Sequence, residues 1–311
     1  MKIVFLGTPQ IAATCLEEIL KTNHEVLAVV TQPDKAAGRG KKIQISPVKR
    51  VAMKNSLPVF QFNSISKEGV SQIKALKPDV LVLVAFGQIL SQEVLDIALP
   101  INLHGSLLPQ LRGPSPIQSA ILNGMTESGV TIMVMKPQVD SGEIILQEKV
   151  EIKNTDTSKE LFEKMAFVGS KTLVRALDLI ENKTAKFTPQ EHENATFCQM
   201  LTKENAVLDF SVSTRELINK IRAYNPSPIA YCFYNDIKLK VFQAEEYQGV
   251  VTRKLFQSGE IVFANSKLGL VVKTGDGYIS LKQLQAPNGK VLSVRDFLNG
   301  NRLKEGEILN S

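Results

Sequence analysis

The almost continuously apolar run from Asp79 to Ala85 places the strongest constraint on how this chain can fold. A run without alternating polar residues is typical of a strand that is buried on both faces, as in a parallel sheet. Other apolar runs alternate along the chain with segments of helical pattern, the runs at 2–6, 25–31, 101–104 and 130–135 and the helical segments near 9–20, 66–76, 90–97 and 116–123. This order predicts an α/β fold with a Rossmann-like, doubly wound parallel sheet.

The pattern changes in the second half of the chain. A capping box, Thr157 with Glu160, predicts a helix that continues to about Ile180. Between 182 and 206 the periodicity fades, and after it short strands alternate with turn sequences such as Asn235-Asp236 and Asn288-Gly289, which favours a small β-barrel. We therefore expect an α/β domain over 1–181, a linker over 182–206 and a barrel domain over 207–311.

Polar residues interrupt the apolar pattern at the end of one predicted strand. Asn102 and His104 lie two residues apart, so both side chains point to the same face, and Gly105 then ends the strand. Sites in open α/β sheets assemble at the carboxyl ends of strands. Asp140, ahead of Ser141-Gly142, could supply a carboxylate to the same place.

This set of side chains suits acyl transfer to an amine. An amide can stabilise the oxyanion that forms on an attacked carbonyl, and an imidazole can take the proton of the amine or support the oxyanion. A carboxylate would orient the imidazole and favour its charged form. No Ser lies in a Gly-x-Ser-x-Gly elbow and no Cys is near the three residues in sequence, which indicates direct transfer. Hydrogen-bonded structural roles for Asn102, His104 and Asp140 remain open from the pattern alone.

Composition excludes several other classes. The turn Gly7-Thr8-Pro9 carries one glycine where a dinucleotide fingerprint needs three, which argues against NAD binding. The three cysteines are scattered without metal-ligand spacing, so we expect a reducing, cytoplasmic location and no metal. No apolar stretch approaches the ~20 residues of a membrane span. No feature indicates an obligate protein partner.

The sequence around the three polar residues resembles that of the folate-dependent formyltransferases. The resemblance rests on Asn102-x-His104, Ser106-Leu-Leu-Pro109, Arg112-Gly113, Val130-Thr-Ile-Met133 and Asp140-Ser-Gly142, and extends over nearly the whole chain. It implies that Asn102, His104 and Asp140 are catalytic and that 10-formyltetrahydrofolate donates the formyl group. It also implies an OB-like barrel and a folate site formed by Phe86, Gly87, Ser106, Leu107, Leu108 and Pro109. Phe86 departs from the tyrosine that is common in the family.

Within this family, the chain resembles the members that formylate methionine carried by initiator tRNA. Seven Lys and Arg residues between Thr31 and Lys54 face one acid, Asp34, and from Val207 onward fourteen Lys and Arg residues oppose ten acids. Such an excess suits phosphate contacts, although it is also typical of a solvated surface. The resemblance implies that the basic loop inserts at the tRNA acceptor end, and we assign tRNA contacts to Arg39, Lys41 and Lys42.

Two other interpretations stay open at this point. The chain could formylate an amino-sugar nucleotide or glycinamide ribonucleotide, although neither substrate explains the basic loop as well. It could instead bind tRNA or folate without catalysing a reaction, although the intact Asn102, His104 and Asp140 argue against this.

Overall fold

The computed structural model describes residues 1–37, 42–252 and 255–310 of the 311-residue chain. The contacts divide into two compact units. Unit 1 contains Met1–Pro116, Glu127–Glu151 and Phe162–Cys198, and unit 2 contains Ile117–Thr126, Ile152–Leu161 and Gln199–Ser311. These units are defined by contacts, and the domain bounds predicted above remain a prediction.

Unit 1 contains a seven-stranded sheet with both parallel and antiparallel strands, and a small two-stranded hairpin. Its strands are β1 (Lys2–Gly7), β2 (Glu25–Thr31), β3 (Lys35–Ala37), β4 (Lys42–Gln44), β5 (Val59–Gln61), β6 (Val80–Val84), β7 (Leu99–His104), β8 (Glu127–Val134) and β9 (Ile144–Glu151). The helices in this part of the sequence are α1 (Gln10–Ile19), α2 (Pro47–Lys54), α3 (Ile65–Glu68), α4 (Val70–Ala75), α5 (Gln92–Leu95), α6 (Pro116–Leu122) and α7 (Ser158–Glu181). Of these, α6 after Pro116 and the first residues of α7, up to Leu161, belong to unit 2.

The large sheet has the strand order β5-β2-β1-β6-β7-β8-β9. The first five of these strands pair in parallel, which confirms the predicted fold class. β8 and β9 are antiparallel, whereas a parallel 130–135 strand was expected. The register pairs His104 with Thr131 and Ile101 with Val134, so β8 passes beside the end of β7 without the chain first crossing back over the sheet.

Helices cover both faces of this sheet. On one face, Leu81 and Leu83 belong to a buried cluster with Ile65, Ile73 and Val94 from α3, α4 and α5. On the other face, Leu103 packs so closely against Gly169 of α7 that a Cβ there would lie 2.9 Å from its side chain. Burial of both faces explains why β6 is apolar throughout.

Local sequence signals explain where the helices begin. Ser46 accepts a hydrogen bond from Lys49 N, with Pro47 at the first helical position, as predicted. Glu160 accepts hydrogen bonds from the backbone and side chain of Thr157, which is one half of the predicted capping box, whereas Thr157 Oγ1 accepts from Lys159 N rather than from Glu160 N. The helix expected near 66–76 is instead divided at Gly69 into α3 and α4.

Unit 2 is dominated by a curled antiparallel sheet. Its strands are β10 (Tyr231–Tyr234), β11 (Ile237–Glu246), β12 (Ile261–Asn265), β13 (Gly269–Lys273), β14 (Tyr278–Gln285) and β15 (Leu292–Ser293), with helices α8 (Thr214–Ala223) and α9 (Val294–Gly300). The strand order is β10-β11-β14-β13-β12. Residues 307–310 bond to both outer strands, through Phe233 of β10 and Ile261 of β12, and the curled sheet forms a half-barrel where a small barrel was predicted.

Short 3-10 helices lie at His192–Asn194 and Glu204–Ala206. Among the helices of the described ranges, none combines the length and apolar character that a bilayer span requires.

Candidate active site

The site is built at the carboxyl end of β7. β7 lies between β6 and β8, and its register pairs Asn102 with Leu83 on one side and with Met133 on the other. Asn102 and His104 therefore share the sheet face of Leu83, whereas Leu103 points to the opposite face. The alternation of β7 places an amide and an imidazole side by side where the strand ends.

His104 is held in one orientation by its backbone surroundings. Its ring is buried, and Nε2 lies 2.9 Å from the carbonyl oxygen of Leu111. Because a carbonyl oxygen can only accept, Nε2 carries the hydrogen. The other ring nitrogen, Nδ1, lies 3.5 Å from Asp140 Oδ2. Nδ1 is therefore the nitrogen that can gain or lose a proton, and a carboxylate faces it when it does.

Asp140 lies in a turn of unusual backbone geometry. Its φ of +49° is in the left-handed region, where Asp is tolerated better than most residues. Gly113 N donates to Asp140 Oδ2 at 2.8 Å, which fixes the carboxylate from the side of the β7 loop. Two residues on, a Cβ at Gly142 would collide with the carbonyl oxygen of Val134. Asp140-Ser-Gly142 is thus a tightly packed turn that presents one carboxylate to His104.

Asn102 differs from its neighbours because its side-chain amide has no hydrogen-bond partner among the described residues. The residue is 8% exposed, and its amide forms no hydrogen bond with any described residue. A buried amide normally has a partner within the protein. An amide held at a strand end without one can donate to an atom that arrives with a substrate.

A buried polar network supports the loop that follows His104. Thr131 Oγ1 donates to Ser106 O at 2.6 Å and accepts from Leu108 N at 3.1 Å. Gln147 Nε2 donates to Leu108 O and to Thr131 Oγ1, both at 2.9 Å. Gln147 was not predicted as part of the site. It pairs with Thr131 across the antiparallel β8–β9 ladder, and no local sequence signal marks that pairing.

A second network, centred on Arg112, was also missed. The Arg112 side chain is 2% exposed and donates to Gln190 Oε1 from Nε at 3.1 Å and from Nη2 at 2.7 Å. Nη2 also lies 2.9 Å from His192 Nδ1. No carboxylate of the described residues forms an ion pair with Arg112. Gln190 and His192 fall in the polar stretch that was predicted to be a linker, where no periodic signal marked them.

The residues assigned to folate lie in the loops after β6 and β7. Phe86 is 2% exposed and its ring packs in the apolar cluster below the sheet end, while its carbonyl oxygen accepts from Thr8 Oγ1 and Gln32 Nε2, both at 3.1 Å. Gly87 has a φ of +83°. Ser106 Oγ donates to Gln110 O, which compacts the Ser106–Pro109 turn. Their contact with folate remains a prediction, and Phe86 could contribute only by its backbone or as packing beneath a ligand.

A charged cluster lies at the neighbouring ends of β2 and β5. Lys49 Nζ lies 2.5 Å from Asp34 Oδ2 and donates to Gln61 Oε1 at 2.8 Å. Hydrogen bonds from Lys49, and next from Gln61, hold the pKa of Asp34 below its ordinary value. The charge of Lys49 is thus paired with that of Asp34.

Of the residues assigned to tRNA, Arg39 and Lys41 lie outside the described residues. Lys42 begins β4, which pairs with β3 in a two-stranded hairpin, and its side chain is likewise outside the described part.

The chain matches two family models. The model Formyl transferase matches residues 1–177, and the model Formyl transferase, C-terminal domain, matches residues 200–302. Among similar proteins, the methionyl-tRNA formyltransferase of Clostridioides difficile strain 630 is 42% identical, with 99% of this chain and 100% of that protein aligned. The methionyl-tRNA formyltransferase of Sulfurihydrogenibium sp. strain YO3AOP1 is 41% identical, with 99% of each chain aligned.

Solved structures share the fold at lower identity. The N-formyltransferase of Helicobacter canadensis, in complex with folinic acid and dTDP-3-aminofucose, gives a TM-score of 0.66 at 21% identity over 92% of this chain and 99% of that chain. The methionyl-tRNA formyltransferase of Clostridium thermocellum gives a TM-score of 0.59 at 15% identity over 80% and 95%. With both family models matched and relatives above 40% identity over their full length, the chain belongs to the formyl transferase family.

Proposed function

We propose that this protein transfers the formyl group of 10-formyltetrahydrofolate to the α-amino group of methionine esterified to initiator tRNA. The observation that carries this proposal is the 42% identity to a methionyl-tRNA formyltransferase across 99% of the chain. The site supports the same chemistry, because an uncommitted amide, an imidazole and a carboxylate converge at one strand end.

The proposed reaction begins with attack of the methionyl amine on the formyl carbon. The carbonyl electrons move onto oxygen, and the side-chain N–H of Asn102 donates to the oxyanion. His104 Nδ1 takes the proton that the amine loses, and Asp140, 3.5 Å away, stabilises the resulting imidazolium. Collapse of the intermediate breaks the bond to N10 of the folate, which receives the proton from His104. No covalent enzyme intermediate is needed.

The substrate contacts are assigned from the sequence. The loops with Phe86-Gly87 and Ser106–Pro109 would hold the folate beside Asn102. The basic loop with Arg39, Lys41 and Lys42 and the barrel domain over 207–311 would bind tRNA, chiefly through phosphates. These contacts set which amine reaches the site, while the three catalytic residues set the chemistry.

A sugar substrate is the competing proposal. It is favoured by one observation, namely that the fold matches an N-formyltransferase crystallised with dTDP-3-aminofucose. At 21% identity this likeness shows the fold alone, so the full-length relatives weigh more.

The test is transfer of labelled formyl from 10-formyltetrahydrofolate to three acceptors assayed side by side. These are methionylated initiator tRNA, methionylated elongator tRNA and dTDP-3-aminofucose. We expect rapid formylation of the initiator tRNA. Transfer to the sugar alone would keep the catalytic residues but overturn the tRNA assignment, and transfer to none of the three would overturn the proposal.

A further inference from the structure

We propose that Gln190 is a positioning residue that sets the distance between His104 and Asp140 by tying together the two loops that hold them. This inference rests on the proposed function, because it concerns the geometry of the same reaction. Gln190 lies in the segment 188–198, which belongs to unit 1 with both loops.

The side-chain amide of Gln190 forms hydrogen bonds with both loops, the loop that contains Arg112 and the turn that contains Asp140. Its Nε2 donates to Asp140 O at 3.0 Å and to Gly142 O at 2.8 Å. Its Oε1 accepts two hydrogen bonds from Arg112. Because the guanidinium can only donate and the two carbonyls can only accept, the amide has one orientation that satisfies all four bonds. Gln190 is 5% exposed, so water cannot readily replace these partners.

Both tied loops hold catalytic side chains. The Arg112 loop supplies the Leu111 carbonyl that accepts from His104 Nε2, and the Gly113 N–H that donates to Asp140 Oδ2. The other loop carries Asp140 itself, in a left-handed conformation that needs support from its surroundings. The 3.5 Å separation of Nδ1 and Oδ2 therefore depends on both loops staying in register.

The segment that carries Gln190 is itself fixed to the first loop. Thr196 O accepts from Arg112 N at 2.8 Å, Thr196 Oγ1 accepts from Leu111 N at 2.8 Å, and Cys198 N donates to Arg112 O at 2.8 Å. These bonds make the segment a strap along one loop. Gln190 reaches from the strap to the other loop, so its two donors are a direct tie between the strap and Asp140.

Two variants separate positioning from general stability. Gln190→Glu keeps an acceptor for Arg112, which protects the fold, but removes both donors to the Asp140 turn. Gln190→Met is neutral and of similar length but removes all four bonds. Glu191→Gln is the matched control, since its exposed carboxylate bonds to Asn194 at the surface. Formyl transfer to methionylated initiator tRNA is measured for each variant, together with thermal unfolding.

We expect kcat to fall about 10- to 100-fold in both Gln190 variants, because displacement of a catalytic group by about 1 Å has effects of this size. KM for both substrates should stay near the wild-type value, because Gln190 touches neither substrate in the proposed arrangement. Glu191→Gln should match the wild type in all three measurements.

The outcomes distinguish this inference from the function on which it rests. A folded Gln190→Glu variant with wild-type kcat would overturn the inference, since it would show that only the acceptor for Arg112 matters. A folded Gln190→Met variant that keeps the wild-type kcat and changes only KM would overturn it too. Absence of transfer by the wild-type protein would instead defeat the proposed function before any variant is compared.

Discussion

Replacement of Asn102 by Ala separates catalysis from stability at a single side chain. Asn102 is 8% exposed, and within the described part of the chain its amide forms no hydrogen bond. The substitution therefore breaks no bond that supports the fold and leaves no partner unsatisfied. Only packing around a small side chain is lost, so we expect the free energy of unfolding to fall by at most about 1 kcal/mol.

The expected effect on the reaction is much larger. Removal of one oxyanion donor typically slows a reaction by about 100- to 1,000-fold, equivalent to about 2.7 to 4 kcal/mol of transition-state stabilisation. Because the donor acts on charge that exists only in the transition state, kcat and kcat/KM should fall together. Because the Asn102 amide has no partner in the described part of the fold, we expect its loss to reduce the rate much more than the stability.

The assay is single-turnover formyl transfer at saturating folate, with thermal unfolding measured on the same preparations. Gln110→Ala is the matched control, because Gln110 carries the same amide at an exposed position of the adjoining loop. It should leave both rate and stability unchanged. A folded Asn102→Ala protein with a near-normal rate would refute the oxyanion role, and a rate loss that tracks a loss of stability would refute the view of Asn102 as structurally uncommitted.

Three further outcomes are expected. Arg39→Ala should weaken turnover of charged tRNA while folate binding stays intact, and a fully active variant would remove the basic loop from the tRNA contacts. Burial raises the pKa of the Cys15 and Cys232 thiols to about 12, so alkylation near pH 8 should spare both until the protein is unfolded; rapid labelling of the native protein would contradict this. The Thr214 N–H bond lowers the pKa of Asp276 below its ordinary 3.8, so this carboxylate stabilises the fold above that pH, and the stability lead of the wild type over Asp276→Asn should close as pH falls below it. Acid unfolding curves of the two proteins that stay equally far apart would argue against the coupling.

Strands and helix starts were predictable because their signals are local. β6 follows from five neighbouring aliphatic residues. The start of α2 follows from Ser46 and Pro47, because the Ser46 side chain caps the first turn of the helix and Pro47 fits its first position. Asn102 and His104 were predictable for the same reason, since the two-residue period of a strand alone places them on one face. Their nearness in sequence made their nearness in space certain once β7 was identified.

Features that depend on contacts between residues distant in sequence were not predictable in this way. An apolar period of two is the same in a parallel and an antiparallel strand, so residues 130–135 could be identified as a strand but not given a direction. The position of β8 is fixed instead by the pairing of His104 with Thr131, and the 22 residues between the end of β7 and the start of β8 carry no periodic strand signal.

The supports of the site illustrate the same limit more strongly. Gln190 is 78 residues from Arg112 and 50 from Asp140, and it lies in a polar stretch whose composition is that of a surface linker. Nothing local marks one glutamine in such a stretch as buried. Arg112 was part of a recognised motif, yet Arg is a residue type that is rarely buried without a charged partner, so its 2% exposure could not be inferred from composition.

The choice of a neutral amide at position 190 has a physical reason that links these supports to the chemistry. A carboxylate there would pair well with Arg112 but would leave the carbonyls of Asp140 and Gly142 without donors, and it would add a second negative charge beside Asp140. Glutamine satisfies the guanidinium and both carbonyls at once, and it leaves the positive charge of Arg112 unneutralised one residue before Gly113, whose N–H holds the Asp140 carboxylate. A buried cation with only neutral acceptors is costly to maintain. The charge of Arg112 lies next to the loop that holds both His104 and Asp140. We infer that it helps to keep the Asp140 carboxylate fixed while the His104 imidazolium forms and disappears beside it.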